Sequence, residues 1–217
     1  LSGVYFKNGI EFTFPDRTII GPGQRIIISQ NQFENGSKLN NGGERILLSD
    51  ASGSVIIDFN YSDDGPWPKS TDGNGFSLIR IDPAGNGDPN MPDQWRPSTK
   101  EGGNPGTTDS ITFSGEGPSE LIAYAISETN KISAAINEDG NPIITVRQRL
   151  GADDALIELE QSIDGITWTT LTEGNELELT GRTHNSDGTE SLNYIINSGD
   201  PVKQDPSILF RAKVRIR

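Results

Sequence analysis

Gly42–Pro68, GGERILLSDASGSVIIDFNYSDDGPWP, is the stretch whose reading decides the fold. Two apolar runs, Ile46 to Ser49 and Val55 to Tyr61, flank Ala51-Ser52-Gly53, a short-range hairpin signal. The second run ends in Asp63-Asp64-Gly65-Pro66-Trp67-Pro68, where two prolines deny the ladder its donors and fix one large aromatic against the sheet. A further strand is expected from Phe76 to Ile81. Working outward, Val4-Tyr5-Phe6, the Asn8-Gly9 turn and Ile10 to Phe14 read as strand, turn, strand, with Ile10, Phe12 and Phe14 inward. Arg25-Ile26-Ile27-Ile28 is a continuous apolar segment suited to a central strand, and Asn31 to Asn41 is a polar surface loop.

The same residues carry a resemblance. Gly43-Glu44-Arg45-Ile46, Asp64-Gly65-Pro66-Trp67-Pro68, Asp72-Gly73-Asn74-Gly75-Phe76-Ser77-Leu78, and Trp95 followed by Gly102-Gly103-Asn104-Pro105-Gly106 are similar to the lamin tail domain family. Leu1-Ser2-Gly3, Phe12 to Pro15 and Ile20 to Gln24 resemble the family's first strands, so the likeness covers about Leu1 to Thr108. It implies an immunoglobulin-like β-sandwich that makes protein or cell-envelope contacts. The family opens with an Asn- and Glu-rich strand before the position held here by Leu1. The chain is therefore expected to be attached to further domains of a longer protein, or to have that edge strand supplied otherwise.

Composition narrows the function classes. Cysteine is absent and His184 is the single histidine, which leaves no thiolate chemistry and none of the usual triads or histidine metal clusters. His184 reads as a solvated loop residue. The net charge is −13, with 9 basic and 14 acidic side chains in residues 1–114 and 9 and 17 in residues 115–217. Such a chain repels phosphate backbones, so no nucleic-acid partner is expected. No stretch approaches the length of apolar sequence that a membrane span needs, and the first residues show no basic region followed by an apolar run. The 25 glycines and 13 prolines, spaced as frequent turns, indicate an all-β chain.

Asp82 to Pro97 has four prolines and no period, and Trp95 is its expected anchor, plugging the open end of the sandwich. Ser98 to Pro118 is rich in Gly, Ser, Thr and Pro, which sets domains at 1–108 and 119–217 with a linker at 109–118. Leu121, Ile122 and Ala125 recur at helical spacing behind Pro118, predicting one or two helical turns. Strands follow at Ile132 to Asn137, Pro142 to Leu150 and Ala155 to Ser162. Pairing of the last two about Asp153-Asp154 would set Arg149 against Glu158 and Arg147 against Glu160. Ser162 to Trp168 resembles a shortened sialidase-type Asp-box, a structural turn. Leu209 to Arg217 alternates Phe210, Ala212, Val214 and Ile216 inward with four cations outward, which are expected beside glutamates of neighbouring strands. With Leu121 to Ala125, Arg147 to Leu156, Ser162 to Trp168 and Asp187 to Glu190, this half is similar to an uncharacterised β-rich module of large secreted bacterial proteins.

The expected architecture is therefore all-β: two β-sandwich domains, the first immunoglobulin-like, the second carrying one short helix at its start. The expected role is a non-catalytic, secreted or cell-surface module for adhesion, tethering or spacing, with a protein or cell-envelope partner and no cofactor. The alternative is a carbohydrate-binding accessory of a secreted hydrolase, with Trp67, Trp95 or Trp168 stacking on a sugar ring. Calcium is the one metal with a local basis, at Asp63, Asp64, Asp72 and Asn74. Against it, Pro83 stands where an EF-hand loop begun at Asp72 needs its glutamate, and turns use Asp and Asn for their own backbone bonding.

Overall fold

The computed structural model describes residues 1–126, 132–197 and 208–217. Strands dominate it, paired in antiparallel sheets, with one α-helix among the described residues, so the fold is all-β and sandwich-like. The contacts divide the chain into two compact units, Leu1–Trp67 with Thr71–Asp109, and Pro68–Ser70 with Ser110–Arg217.

In the first unit a four-stranded sheet runs β2-β1-β3-β4, from β1 (Tyr5–Asn8), β2 (Phe12–Thr13), β3 (Gly43–Ser49) and β4 (Val55–Ser62). The β3–β4 hairpin forms where the turn signal lies, because one carboxylate oxygen organises it. Asp50 Oδ1 accepts from the Ser52 N–H at 2.8 Å, the Ser54 N–H at 2.9 Å and the Ser52 hydroxyl at 2.7 Å, while Gly53 supplies a φ of 91°. At the other end of the hairpin only glycine fits position 43, since a Cβ there would stand 2.4 Å from the Tyr61 carbonyl oxygen. A second small sheet pairs β5 (Leu78–Arg80) with β6 (Trp95–Pro97). The end of the expected Asp82 to Pro97 loop is thus a strand, invisible to periodicity because it is three residues long and ends in proline.

Arg25–Ile28 is not the central strand that its apolar run suggests. Ile26 and Ile27 are 42% and 54% exposed, and among the described residues the segment pairs into no sheet. Local turn chemistry holds both ends. Gln24 donates its N–H to the Gly21 carbonyl at 3.1 Å and returns its side-chain oxygen to the Gly21 N–H at 2.7 Å. Ser29 begins a short 3₁₀ turn, Gln30–Gln32, in a capping box with Gln32. The four residues are stretched between two closed turns.

The second unit stacks the sheet β11-β12-β8-β7 on the sheet β10-β9-β13. Its strands are β7 (Ile132–Ile136), β8 (Pro142–Arg149), β9 (Ala155–Ser162), β10 (Thr169–Thr170), β11 (Leu177–His184), β12 (Thr189–Ile196) and β13 (Leu209–Ile216). Ile144, Val146, Leu177 and Ile196 from the first sheet meet Leu159 from the second, with Leu171 between strands, in one buried cluster. Helix α1 (Pro118–Ala125) starts with proline in its first turn and packs Ala125, with Ile126 after it, against Ala155. The preceding segment is tied to the same unit: the Ile111 N–H donates to the Gly151 carbonyl at 2.7 Å and the Phe113 N–H to Asp154 Oδ2 at 3.0 Å.

β8 and β9 do not pair with each other. β8 lies between β7 and β12 and β9 between β10 and β13, so the link through Asp153-Asp154 carries the chain from one sheet to the other. The charges expected to meet across that turn find other partners. Arg147 pairs with Asp187, and the two glutamates sit under the terminal cations: Arg211 Nε to Glu160 Oε2 at 2.6 Å and Arg215 Nε to Glu158 Oε1 at 2.9 Å. Of the four apolar residues expected inward on β13, Phe210, Ala212 and Val214 pack on the core clusters, while Ile216 at the strand end is exposed.

Candidate interaction surface

β4 ends its sheet, with β3 on one side and, among the described residues, no strand on the other. A free strand edge offers unpaired N–H and C=O groups to any extended chain, and proteins usually guard it with charge, a bulge or a covering loop. Here the guard covers half the strand. The Asn60 N–H donates to Asn90 Oδ1 at 2.9 Å, and Asn90 is itself held by Asp88 Oδ1 through its own N–H at 2.9 Å and its amide at 2.8 Å. From Val55 to Phe59 no such latch is present among the described residues, and the register shifts there, Leu48 facing Ile57 and Ser49 facing Val55, so the strand bulges at Ile56. The side chains there are apolar and uncovered: Val55 is 61% exposed, Ile56 53% and Ile57 37%. Asp58 forms a fork with Arg45 on β3, Nε to Oδ1 at 2.7 Å and Nη2 to Oδ2 at 2.6 Å. An apolar edge bounded by charge has the composition of a contact surface.

Two of the three tryptophans are packed inside. Trp95 is 9% exposed, stacks on Phe59 with centroids 5.2 Å apart, and donates its indole N–H to the Pro89 carbonyl at 2.9 Å. Trp67 is 7% exposed and tilts against Trp95 at 6.2 Å. Their ring faces are spent on core packing. Trp168 is half-buried, and the Arg211 guanidinium lies 4.1 Å from its ring centroid. An open hollow nearby is lined by Gln161, Ser162, Ile163, Asp164, Thr167, Thr169 and Ile208, without Trp168.

Asp63, Asp64, Asp72 and Asn74 stand in the turns after β4, half-buried at Asp63 and exposed at the other three. Among the described residues no three His, Asp or Glu side chains converge as a metal site would need. Nor is any described helix long and apolar enough to cross a membrane.

The Ser162–Trp168 turn is built as the sequence suggests. Asp164 Oδ1 accepts from the Thr167 N–H at 2.7 Å, the Ile166 N–H at 2.8 Å and the Ser162 hydroxyl at 3.0 Å. Those donors, Thr167 first, hold the carboxyl down at about 2. Because the folded value lies below that of the unfolded chain, the turn's contribution is complete above the ordinary carboxylate range of about 4 and is lost as the pH falls toward 2. A carboxyl titration by NMR should place the Asp164 midpoint near that value. A midpoint in the ordinary range would mean that the turn is not closed in solution.

His184 is not a solvated loop residue. It ends β11 directly across from Glu190, and its Nδ1 accepts the Ser186 N–H at 3.2 Å. Glu190 and Arg182 form an ion pair at 2.9 Å with both side chains 1% exposed, and in the first unit Arg96 and Asp109 form another at 2.6 Å. Composition conceals both pairs, since a count of charges does not tell which are inside. The one local cue is that Arg96 sits between Trp95 and Pro97, in apolar company.

No family model matches the chain, and neither a curated protein nor a solved structure matches it.

Proposed function

We propose that the chain is a non-catalytic interaction module of a longer exported protein, working at the cell surface or outside the cell in adhesion, tethering or spacing. In this reading the first unit is an immunoglobulin-like sandwich of lamin tail type, and the second is an accessory module that follows it in the chain. The observation that carries the proposal is the uncovered Val55–Ile57 edge of β4, an apolar surface on a hairpin that suits a macromolecular contact. The net charge of −13 favours a protein or envelope partner over nucleic acid.

The carbohydrate-binding alternative would fall to Trp168, whose ring is partly exposed, because Trp67 and Trp95 are committed to the core. A glycan array and a tryptophan-fluorescence titration with polysaccharides separate the two readings. The module reading expects no saturable signal. Saturable quenching that disappears in Trp168→Ala would overturn it in favour of the sugar-binding one.

A further inference from the structure

Another open edge lies in the second unit. β7 pairs with β8 on one side and, among the described residues, with no strand on the other. The usual guards are missing: Ile132-Ser133-Ala134-Ala135-Ile136 holds no charge and no proline, and its register on β8 runs unbroken from Ile132 opposite Val146 to Ile136 opposite Pro142. Ser133 to Ile136 are exposed, Ile136 at 70%. The hairpin fixes which backbone groups face out. Asn137 donates its N–H to the Asn141 carbonyl at 2.9 Å, closing the pair next to Ile136 and Pro142, and Gly140, with a φ of 80°, donates to the Asn137 carbonyl at 3.0 Å. Bonded and non-bonded pairs alternate along an antiparallel ladder, so Ala135 and Ser133 bond to β8 while Ile136, Ala134 and Ile132 do not. Pro142 agrees, since it has no N–H to give and stands in a non-bonded pair. The N–H and C=O groups of Ile132, Ala134 and Ile136 therefore point away from β8, and no bond among the described residues reaches them.

The outward-facing residues are spaced evenly about Ala134, and the side chains follow the same symmetry. Turned about a two-fold axis through Ala134, perpendicular to the sheet, a second β7 falls antiparallel on the first: Ile132 opposite Ile136, Ser133 opposite Ala135, and Ala134 opposite its own copy. Every outward-facing residue then meets an outward-facing residue and exchanges its backbone bonds. Ile132 packs on the core, so Ala134 and Ile136 share its face, and the exposed Ile136 of each copy gains the Ile132 of the other. An axis through Ala135 would set Ile132 opposite Glu138, and one through Ser133 would carry Ile136 past the start of the other copy's strand. Backbone direction and composition thus select one register.

We infer that two copies of this chain associate through β7, joining their β11-β12-β8-β7 sheets into one continuous sheet across a two-fold axis at Ala134. The occupant is a second copy because the strand is its own complement, with an isoleucine at each end, small side chains between them and its free backbone groups centred on the axis. A chain of net charge −13 repels its like, and β7 is a strand that carries no charge of its own into the contact. Five residues make a small contact, so the dimer is reversible, and added salt, by screening the repulsion, should strengthen it. The inference goes beyond the module reading and makes no use of β4.

The chain has no native cysteine, so a disulfide can report the register. Ser133 and Ala135, both exposed, form the non-hydrogen-bonded pair across the axis, with the closer side-chain spacing that a disulfide needs. Chains carrying Ser133→Cys, mixed with chains carrying Ala135→Cys and mildly oxidised, should give the mixed disulfide in large excess over either like-with-like product. In sedimentation equilibrium the unmodified chain should pass from 23.5 kDa toward twice that mass as its concentration rises. Ala134→Pro removes a donor that faces away from β8, so it should abolish the dimer and leave the melting temperature close to that of the unmodified chain. Ala135→Pro breaks the β7–β8 ladder and should lower it. Three results would each overturn the inference: a monomer at every concentration reached, like-with-like disulfides as abundant as the mixed one, or a dimer that survives Ala134→Pro. None of them touches the module reading, which the polysaccharide titration decides.

Discussion

Arg182→Met should destabilise the chain by about 3–5 kcal/mol in urea denaturation at pH 7, and the loss should shrink in acid. Arg182 on β11 and Glu190 on β12 are sealed inside the second unit, 2.9 Å apart. Gln148 on β8 approaches the same carboxylate oxygen at 3.5 Å, and His184 faces Glu190 across the ladder. Burial pushes the Glu190 carboxyl above its ordinary range, with Arg182, Gln148 and His184 pulling the other way without reversing it. The folded chain therefore holds this proton more tightly than the unfolded chain does. The stability so gained is complete below the unfolded value of about 4 and is lost as the pH rises through the raised folded value. Without Arg182 the carboxyl rises further and a neutral Glu190 becomes the cheaper state, which is why acid should relieve the variant. The double change Arg182→Met and Glu190→Leu should recover most of the loss, because two apolar side chains in that place carry no desolvation cost. If the single and double variants were equally unstable, lost packing and not the stranded charge would be the cause.

Asp109→Ala should cost a similar amount, about 3–5 kcal/mol at pH 7, and should act on the first unit. Asp109 accepts from Arg96 Nη1 at 2.6 Å, from the Thr99 N–H and hydroxyl at 2.9 Å each, and from the Asn104 amide, while Arg96 also donates to the carbonyls of Pro97 and Asp109. The substitution leaves a guanidinium that is 2% exposed without its counter-charge. Burial alone would raise the Asp109 carboxyl, but the hydrogen bonds from Arg96 and Thr99, with the Arg96 charge, outweigh it and the net shift is downward. The sign is opposite to that of Glu190. This stability is present above the unfolded value of about 4 and is lost as the pH falls through the lowered folded value. Urea midpoints measured from neutral pH into acid should fall for the unmodified first unit and change less for Asp109→Ala. A parallel decline in both would show that other carboxylates carry the acid sensitivity.

Neither pair could be read from the sequence, and the reason is physical. Arg96 and Asp109 are 13 residues apart, with Asp109 in a Gly- and Thr-rich stretch of linker composition. Burial of a charge depends on what the rest of the chain brings over it. What was legible was local. Asp50 and Gly53 announce the β3–β4 turn by their own chemistry, Pro118 marks the start of α1, and the alternation of β13 follows from its cations and apolar residues. The errors lie where two local rules compete or where sheet membership matters. Arg25–Ile28 has the composition of a buried strand, but the Gly21–Gln24 and Ser29–Gln32 turns pin its ends. For β8 and β9 the charge pattern fits a hairpin, yet the same glutamates fit the basic row of β13 equally well, and only the stacking of two sheets decides between them. The candidate surface was legible as the hairpin that carries it. Its exposure was not, because sequence does not say which strand stands last in a sheet.

The Asp88-Asn90 latch on Asn60 acts as a ruler. A guest strand advancing along β4 would meet Asn60 with its N–H already given to Asn90, so the free part of the edge ends there. Open-ended stacking of sheets needs an edge free along its whole length, and the latch closes part of this one.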